Sequence, residues 1–195
     1  VQEQINKTHP SIKKLSIQVR LDGLSFCILN CSNSGNEVTW YKKTNFSREQ
    51  NPVKLLEKIE AEYKNEKPLE QQVDEVVVLF SNELYSIVPA EFFKEEEASN
   101  YLKYNTKILK TDVVSHDVIS SIGLVNVYIP YTNITNYFFD KYGEFEFKHS
   151  VSTFMQEVIN LPDNNGDVIY LNNYKGYYDL VVLRNSKLLL CNTFS

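Results

Sequence analysis

Composition and charge exclude several classes of protein for this 195-residue chain. A formal net charge of −5 argues against nucleic acid as a main partner, because phosphate binding needs a basic surface. No apolar run approaches the roughly 20 residues of a membrane-spanning helix, so we expect no membrane span. Hydrophobic residues make up 43 % of the chain, which is enough for a real core in one domain or two small ones.

Three predicted strands open the chain after a polar segment, residues 1–14, that we expect to be a frayed lead-in. Apolar and polar residues alternate over residues 15–21, which is the period of a strand with one buried face. Asp22 and Gly23 supply a tight turn, and a second apolar run covers residues 25–31. Residues 38–42 predict the third strand. We therefore expect three neighbouring antiparallel strands.

Alternating helix and strand signals follow in the middle of the chain. Asn51 and Pro52 favour a helix start, with an apolar stripe that reaches Tyr63. The continuous apolar run at residues 76–80 is typical of a strand buried on both faces, and residues 84–88 are interpreted as its hairpin partner.

The next elements are predicted from shorter patterns. They are a helix over residues 91–104, strands at 113–114 and 124–129, a helix from Thr132 or Asn133 to Tyr142, a short strand at 145–147, and a helix capped by Ser150.

A second hairpin near the end repeats the plan of the first. Strands are predicted at residues 168–171, 178–183 and 187–191, joined by turns at 172–176 and 184–186. Because the chain stops in a strand, we expect further residues after Ser195. An uncovered edge at residues 188–191 should make the 195-residue chain self-associate or be poorly soluble, and we expect this chain not to bind ATP.

The amino-acid sequences of three segments resemble those of a known family. Leu-Ser-Ile-Gln at residues 15–18, Leu-Asp-Gly-Leu-Ser-Phe at 21–26 and Leu-Leu-Leu-Cys-Asn-Thr-Phe at 188–194 resemble an uncharacterised bacterial family, a domain of unknown function with an actin-like ATPase fold. The hairpins at 15–29 and 168–182 are similar to the two phosphate loops of the pilus-assembly protein PilM and the division protein FtsA.

The resemblance implies an α/β, actin-like ATPase (ribonuclease-H-like) fold whose mixed sheet opens in three antiparallel strands. Residues 15–165 would form the first lobe with an inserted subdomain. Residues 166–195 would begin a truncated second lobe.

The loop residues depart from the pattern of active relatives. Matching residues 25–28 to the second strand puts Arg20 at the position of the metal-binding Asp, while Asp22 falls on a Gly and Cys27 on a basic residue. A register that makes Asp22 the acid loses the strand match by two residues. The acid position of the second loop falls on Asn172, which is uncharged, and Arg20 would repel Mg²⁺.

Two hypotheses for function follow from these departures. The first is a cytoplasmic, non-catalytic scaffold or protein-interaction module without a cofactor, which binds a protein partner and can form a homo-oligomer. The alternative is a divergent ATP-binding or ATP-hydrolysing protein that uses Mg²⁺. Its nucleotide-binding residues would be Asp22, Gly23, Ser25, Asn172 and Gly176.

Other candidate sites have weaker support. Ser115, His116 and Asp117 suggest a catalytic triad, but neighbours in a strand point to opposite faces. Asp163 and Asp167 suggest a calcium loop without its closing Glu. His149, just before a predicted helix, is expected to have a capping or surface role.

The three cysteines, Cys27, Cys31 and Cys191, lie in apolar runs, and their odd number predicts reduced thiols. Cys27 and Cys31 could share a strand face and a metal, but no further ligands stand at a convincing spacing. They are interpreted as core thiols, and no metal site is predicted.

Overall fold

The computed structural model describes residues 11–33, 35–104, 106–162 and 166–194. Most of the predicted lead-in therefore lies outside the described residues, and the first strand already begins at Ile12. In chain order the strands are β1 (Ile12–Arg20), β2 (Gly23–Ser32), β3 (Gly35–Asn45), β4 (Glu75–Ser81), β5 (Tyr85–Pro89), β6 (Ser115–Ile119), β7 (Leu124–Tyr128), β8 (Glu146–His149), β9 (Asp167–Asn173), β10 (Tyr178–Arg184) and β11 (Lys187–Phe194). The helices are α1 (Pro52–Asn65), α2 (Ala98–Leu102), α3 (Thr132–Tyr142) and α4 (Ser150–Ile159).

The largest sheet is mixed and has the order β3-β2-β1-β4-β8. Its three opening strands are antiparallel neighbours, as predicted, whereas β4 runs parallel to both β1 and β8. The predicted alternation is visible in β1, where Leu15, Ile17 and Val19 are buried. In β4 one face is fully buried, while Val77 and Leu79 on the other are half-buried.

Residues 84–88 are not the hairpin partner of β4, which corrects one prediction. Both edges of β4 are occupied by β1 and β8, so β5 pairs instead with β7 in a separate antiparallel sheet, β5-β7-β6. In the same sheet, the strand expected at residues 113–114 begins at Ser115.

The helix predicted over residues 91–104 is also wrong in extent. Only α2 is α-helical, and the 3₁₀ turns Ala90–Phe92 and Glu95–Glu97 precede it. The Tyr101 hydroxyl donates to the Phe92 carbonyl and accepts from the Lys94 N–H, which bends the chain back on itself instead of extending a helix.

The predicted helix starts are largely confirmed. Asn51 caps α1 and accepts from the Lys54 N–H at 2.9 Å, with Pro52 in the first turn. At α4 the cap is His149, one residue before the predicted Ser150, because its ring accepts from the Val151 N–H.

The described residues form three hydrophobic cores, one of which packs α2 against β5 and β7. α1 and α3 cover one face of the mixed sheet, where Leu55, Ile59 and Phe138 pack near Phe26 and Val78. The second core joins α4 to the second hairpin; it includes Val151, Met155, Val181, Leu183 and Tyr128. In the described part of the chain, no helix combines the length and the hydrophobicity needed to cross a membrane.

Candidate functional site

The turn between β1 and β2 holds a buried ion pair. Arg20, the last residue of β1, is only 2 % exposed, and its Nε donates to Asp22 Oδ1 at 2.8 Å. The remaining guanidinium nitrogens donate to Gln18 Oε1 at 3.3 Å and to Asn45 Oδ1 at 3.2 Å. These contacts fix a positive charge within the loop and neutralise it locally.

The loop of the second hairpin packs directly on this turn. The ring centroid of Tyr174 lies 5.4 Å from Arg20 Cζ, within the range of a cation–π contact. The Tyr174 hydroxyl accepts from Asn172 Nδ2 at 2.6 Å and from Gln18 Nε2 at 3.3 Å. Tyr177 stacks on Tyr174 with ring centroids 4.5 Å apart. Aromatic side chains therefore occupy the space between the two hairpins.

Asp179 is a buried carboxylate behind this loop that the sequence interpretation missed. Its Oδ1 accepts from Thr193 Oγ1 at 2.8 Å, and Asn172 lies directly opposite on β9. Burial raises the pKa of Asp179, and hydrogen bonds from Thr193, Tyr174 and Asn172 partly offset the rise. The period-two pattern of β10 could have found it, since Asp179 shares a face with the buried Val181.

The predicted nucleotide-binding residues are distributed around two cavities. Ser25 and Asn172 line a cavity of about 310 Å³ together with Arg20 and Lys43. Asp22 and Gly176 line another cavity of about 190 Å³.

Gly23 is the remaining residue predicted to bind a nucleotide, and it packs closely against its neighbours. A Cβ there would lie 2.5 Å from the Thr44 carbonyl oxygen and 2.6 Å from Arg20 Nη2. The absence of a side chain at Gly23 therefore makes room for the Arg20 guanidinium and for the adjacent strand β3.

Metal ligands do not cluster in the described ranges, where no group of three or more His, Cys, Asp or Glu side chains could hold an ion. The three cysteines are half-buried rather than fully buried. Cys27 and Cys31 lie on the face of β2 opposite the buried Phe26 and Ile28, whereas Cys191 packs against the second core. Burial raises the pKa of the Cys191 thiol to about 12 and also raises that of Cys27.

Ser115, His116 and Asp117 form no triad. The His116 ring packs against Phe93, with centroids 4.8 Å apart, while Asp117 Oδ2 accepts the backbone N–H of His149 at 2.8 Å. Burial raises the pKa of the Asp117 carboxyl.

The capping role expected for His149 is confirmed, but its ring is fully buried and not at the surface. Its Nε2 lies 3.1 Å from the Asn82 carbonyl oxygen, and burial lowers its pKa to about 3. The ring is therefore neutral, and its contacts connect the start of α4 to the loop after β4.

The suggested calcium loop falls partly on residues 163–165, outside the described residues. Asp167, its other acid, forms a bidentate pair with Arg184, at 2.7 and 2.9 Å.

A family model described as "Protein of unknown function (DUF3822)" matches residues 2–195. The chain belongs to DUF3822. No curated protein matches it. A solved protein from Bacteroides thetaiotaomicron, described as having an actin-like ATPase fold and unknown function, is 20 % identical to this DUF3822 chain with a TM-score of 0.81. The match covers 94 % of this chain and 70 % of that one.

Two further solved structures are similar to this DUF3822 member. The PilM–PilN type IV pilus biogenesis complex matches with TM-score 0.59 and 12 % identity, over 95 % of this chain and 62 % of that one. The Ppx/GppA family member from Aquifex aeolicus matches with TM-score 0.47 and 11 % identity, over 95 % and 51 %. The chain thus spans between half and about two thirds of these two proteins. The predicted actin-like fold, and its likeness to PilM, are confirmed.

Proposed function

We propose that this DUF3822 protein is a non-catalytic, actin-like interaction module that does not hydrolyse ATP. The observation that carries the proposal is the buried Arg20–Asp22 pair in the first hairpin. In the active proteins that this chain resembles, a metal-binding acid stands at the position of Arg20. A guanidinium there disfavours a divalent cation, and Asp22 is already engaged by it.

The second hairpin supports the same conclusion. Its acid position carries Asn172, whose amide nitrogen donates to Tyr174. The stacked rings of Tyr174 and Tyr177 occupy part of the space between the two hairpins, where opposed phosphate loops would hold a nucleotide. Tyr174 also covers Arg20, so that cation is shielded from an incoming phosphate.

A protein-binding role is supported by the likeness to PilM, which was solved in a complex with PilN. A cytosolic module that binds a protein partner would use the same fold without a metal site. The partner of this chain would be a protein, and no nucleotide would be required for the contact.

Divergent ATP binding is the second candidate, and one feature favours it. The cavity of about 310 Å³ brings Ser25 and Asn172 together with Lys43, an exposed cationic group of the kind that binds phosphates.

A phosphate-release assay with ATP and Mg²⁺ distinguishes the two functions. We expect no release above the spontaneous rate for the full chain. Turnover that disappears in Ser25→Ala, but not in a Glu57→Ala variant on the exposed face of α1, would establish the ATPase instead.

A further inference from the structure

The loop between β9 and β10, residues 174–177, is a short turn that closes on itself. The Tyr174 N–H donates to the Tyr177 carbonyl at 2.9 Å, and the two rings stack. Lys175 and Gly176, at the tip, are exposed, and a Cβ on Gly176 would meet nothing within 4 Å. The two tyrosines, rather than the tip, therefore hold this loop against the first hairpin.

The same loop contributes to the walls of three cavities. Tyr174 lines the cavity of about 310 Å³, and Tyr177 lines one of about 570 Å³ that also contains Leu21 and Asp22 of the first turn. Gly176 and Tyr177 line the cavity of about 190 Å³. A displacement of residues 174–177 would change the shape of all three cavities. The position of the loop therefore decides how much of the space between the two hairpins is accessible.

The Tyr174 hydroxyl holds the loop in place with a complete set of hydrogen bonds. It accepts from Gln18 Nε2 at 3.3 Å and from Asn172 Nδ2 at 2.6 Å. It also donates to the buried carboxylate of Asp179. A hydroxyl group has one proton and two lone pairs, so all of its bonding capacity is used. Together with the contact between the ring and Arg20, these bonds favour the closed position of the loop.

The Tyr177 hydroxyl has the opposite effect. Its oxygen is buried, and it has no hydrogen-bond partner among the described residues. A polar group that is buried without a partner costs free energy, which contact with water would recover. The ring of Tyr177 therefore favours closure through its stack on Tyr174, whereas its hydroxyl favours opening.

We propose that residues 174–177 form a strap that alternates between this closed position and an open one, and so controls access to the space between the hairpins. In the open position the stack and the turn bond are broken, the Tyr174 hydroxyl leaves Gln18 and Asp179, and the Tyr177 hydroxyl is hydrated. Anything that binds between the hairpins must first displace the strap. The inference does not depend on the scaffold function, because the contacts of the strap are internal to the chain.

Hydrogen–deuterium exchange of the Tyr174 amide in the full chain measures the opening, because its bond to the Tyr177 carbonyl breaks when the strap opens. Tyr174→Phe keeps the ring but loses the hydroxyl bonds, so the amide should exchange about threefold faster or more. Tyr177→Phe keeps the ring and removes the unpaired hydroxyl, so the amide should exchange about threefold slower or more. The control is Tyr178→Phe, the next residue, which stacks on Phe194 and should leave the rate unchanged.

The opposite signs expected for the two substitutions make this test specific. Changes of the same sign in both variants, or no change in either, would overturn the proposal. The amide of Ile17, in the first core, reports the opening of the whole protein in the same experiment. A Tyr174 rate that changes only in parallel with the Ile17 rate would show that the loop has no motion of its own, which also contradicts the strap.

Thiol labelling with iodoacetamide measures access to the space itself. Cys27 lines the cavity of about 310 Å³ together with Tyr174, whereas Cys31, on the same face of β2, is not among its lining residues. Tyr174→Phe should raise the labelling rate of Cys27 severalfold and Tyr177→Phe should lower it, while the rate of Cys31 stays the same. A Cys27 rate that is equal in the wild type and both variants would contradict control of access by the strap.

Discussion

Arg20 Nε donates to Asp22 Oδ1 at 2.8 Å, and both residues are buried at the turn of the first hairpin. The two residues are two positions apart in the sequence, and folding buries both of their opposite charges. Removing one partner from such a pair leaves an uncompensated buried charge. The pair therefore has a structural consequence that can be measured.

Asp22→Ala should lower the free energy of unfolding by about 3–5 kcal/mol, because Arg20 would remain buried without its carboxylate. Urea denaturation measures the change. The control is Glu75→Ala, which breaks the exposed pair with Lys14 and should have a far smaller effect. Equal losses in the two variants would contradict the assignment of the Arg20–Asp22 pair as a buried, dry contact.

Gly23→Ala should also destabilise the protein, by roughly 1–3 kcal/mol through overpacking. The added methyl group would lie 2.5 Å from the Thr44 carbonyl oxygen. Gly176→Ala is the matched control in the second hairpin, since a Cβ there meets nothing within 4 Å. Thermal or urea unfolding compares the two. A Gly23→Ala variant as stable as Gly176→Ala would show that β2 and β3 can move apart.

The two hairpins illustrate how much of the site was predictable. The alternation of Leu15, Ile17 and Val19 and the Asp22-Gly23 turn predict the first hairpin, because the period and the turn chemistry are local. The contact of Tyr174 with Arg20 joins residues far apart in sequence, so no local pattern predicts it.

The same difference between local patterns and long-range contacts explains the errors in the predicted fold. The run at residues 84–88 was correctly predicted as extended, but its partner was wrong. A strand pattern does not say which edge is free, and β4 is already paired with β1 and β8 through parallel connections. The position of His149 before a helix correctly predicted a capping role, whereas its burial depends on the tertiary contact with the Asn82 carbonyl.

His149 should make stability depend on pH. The unfolded chain binds a proton at the ordinary pKa of 6.5, whereas the folded protein holds this ring neutral down to about pH 3. Its contribution is thus fully present above pH 6.5 and is lost as the pH falls from there toward 3. One such proton changes the free energy of unfolding by about 1.4 kcal/mol per pH unit.

The comparison with His149→Gln isolates this effect from buried acids such as Asp117, whose raised pKa acts in the opposite direction. Between pH 7 and pH 5 the wild type should lose about 2 kcal/mol more than the variant in urea unfolding. His116→Gln should retain the wild-type dependence. A His149→Gln profile parallel to that of the wild type would refute the buried neutral ring.

The second hairpin sheet, of order β11-β10-β9, should promote self-association. β11 lies at its edge, and Ile169, Leu171, Leu189 and Leu190 are exposed on the sheet. Light scattering over a concentration series should show association of the 195-residue chain, since an exposed apolar edge strand can pair with a second copy.

Leu189→Lys should shift that equilibrium toward the monomer, whereas Val53→Lys, at an even more exposed position in α1, should not. A wild-type chain that stays monomeric at every concentration would contradict the predicted pairing.

Calorimetric titration of the full chain with ATP and Mg²⁺ tests the central claim most directly. Tyr174 covers the buried Arg20, and Tyr177 stacks on Tyr174 between the hairpins, so we expect no saturable heat of binding up to millimolar nucleotide. Saturable binding in the micromolar range, dependent on Mg²⁺ and abolished in Asn172→Ala, would show that the hairpins still grip a nucleotide.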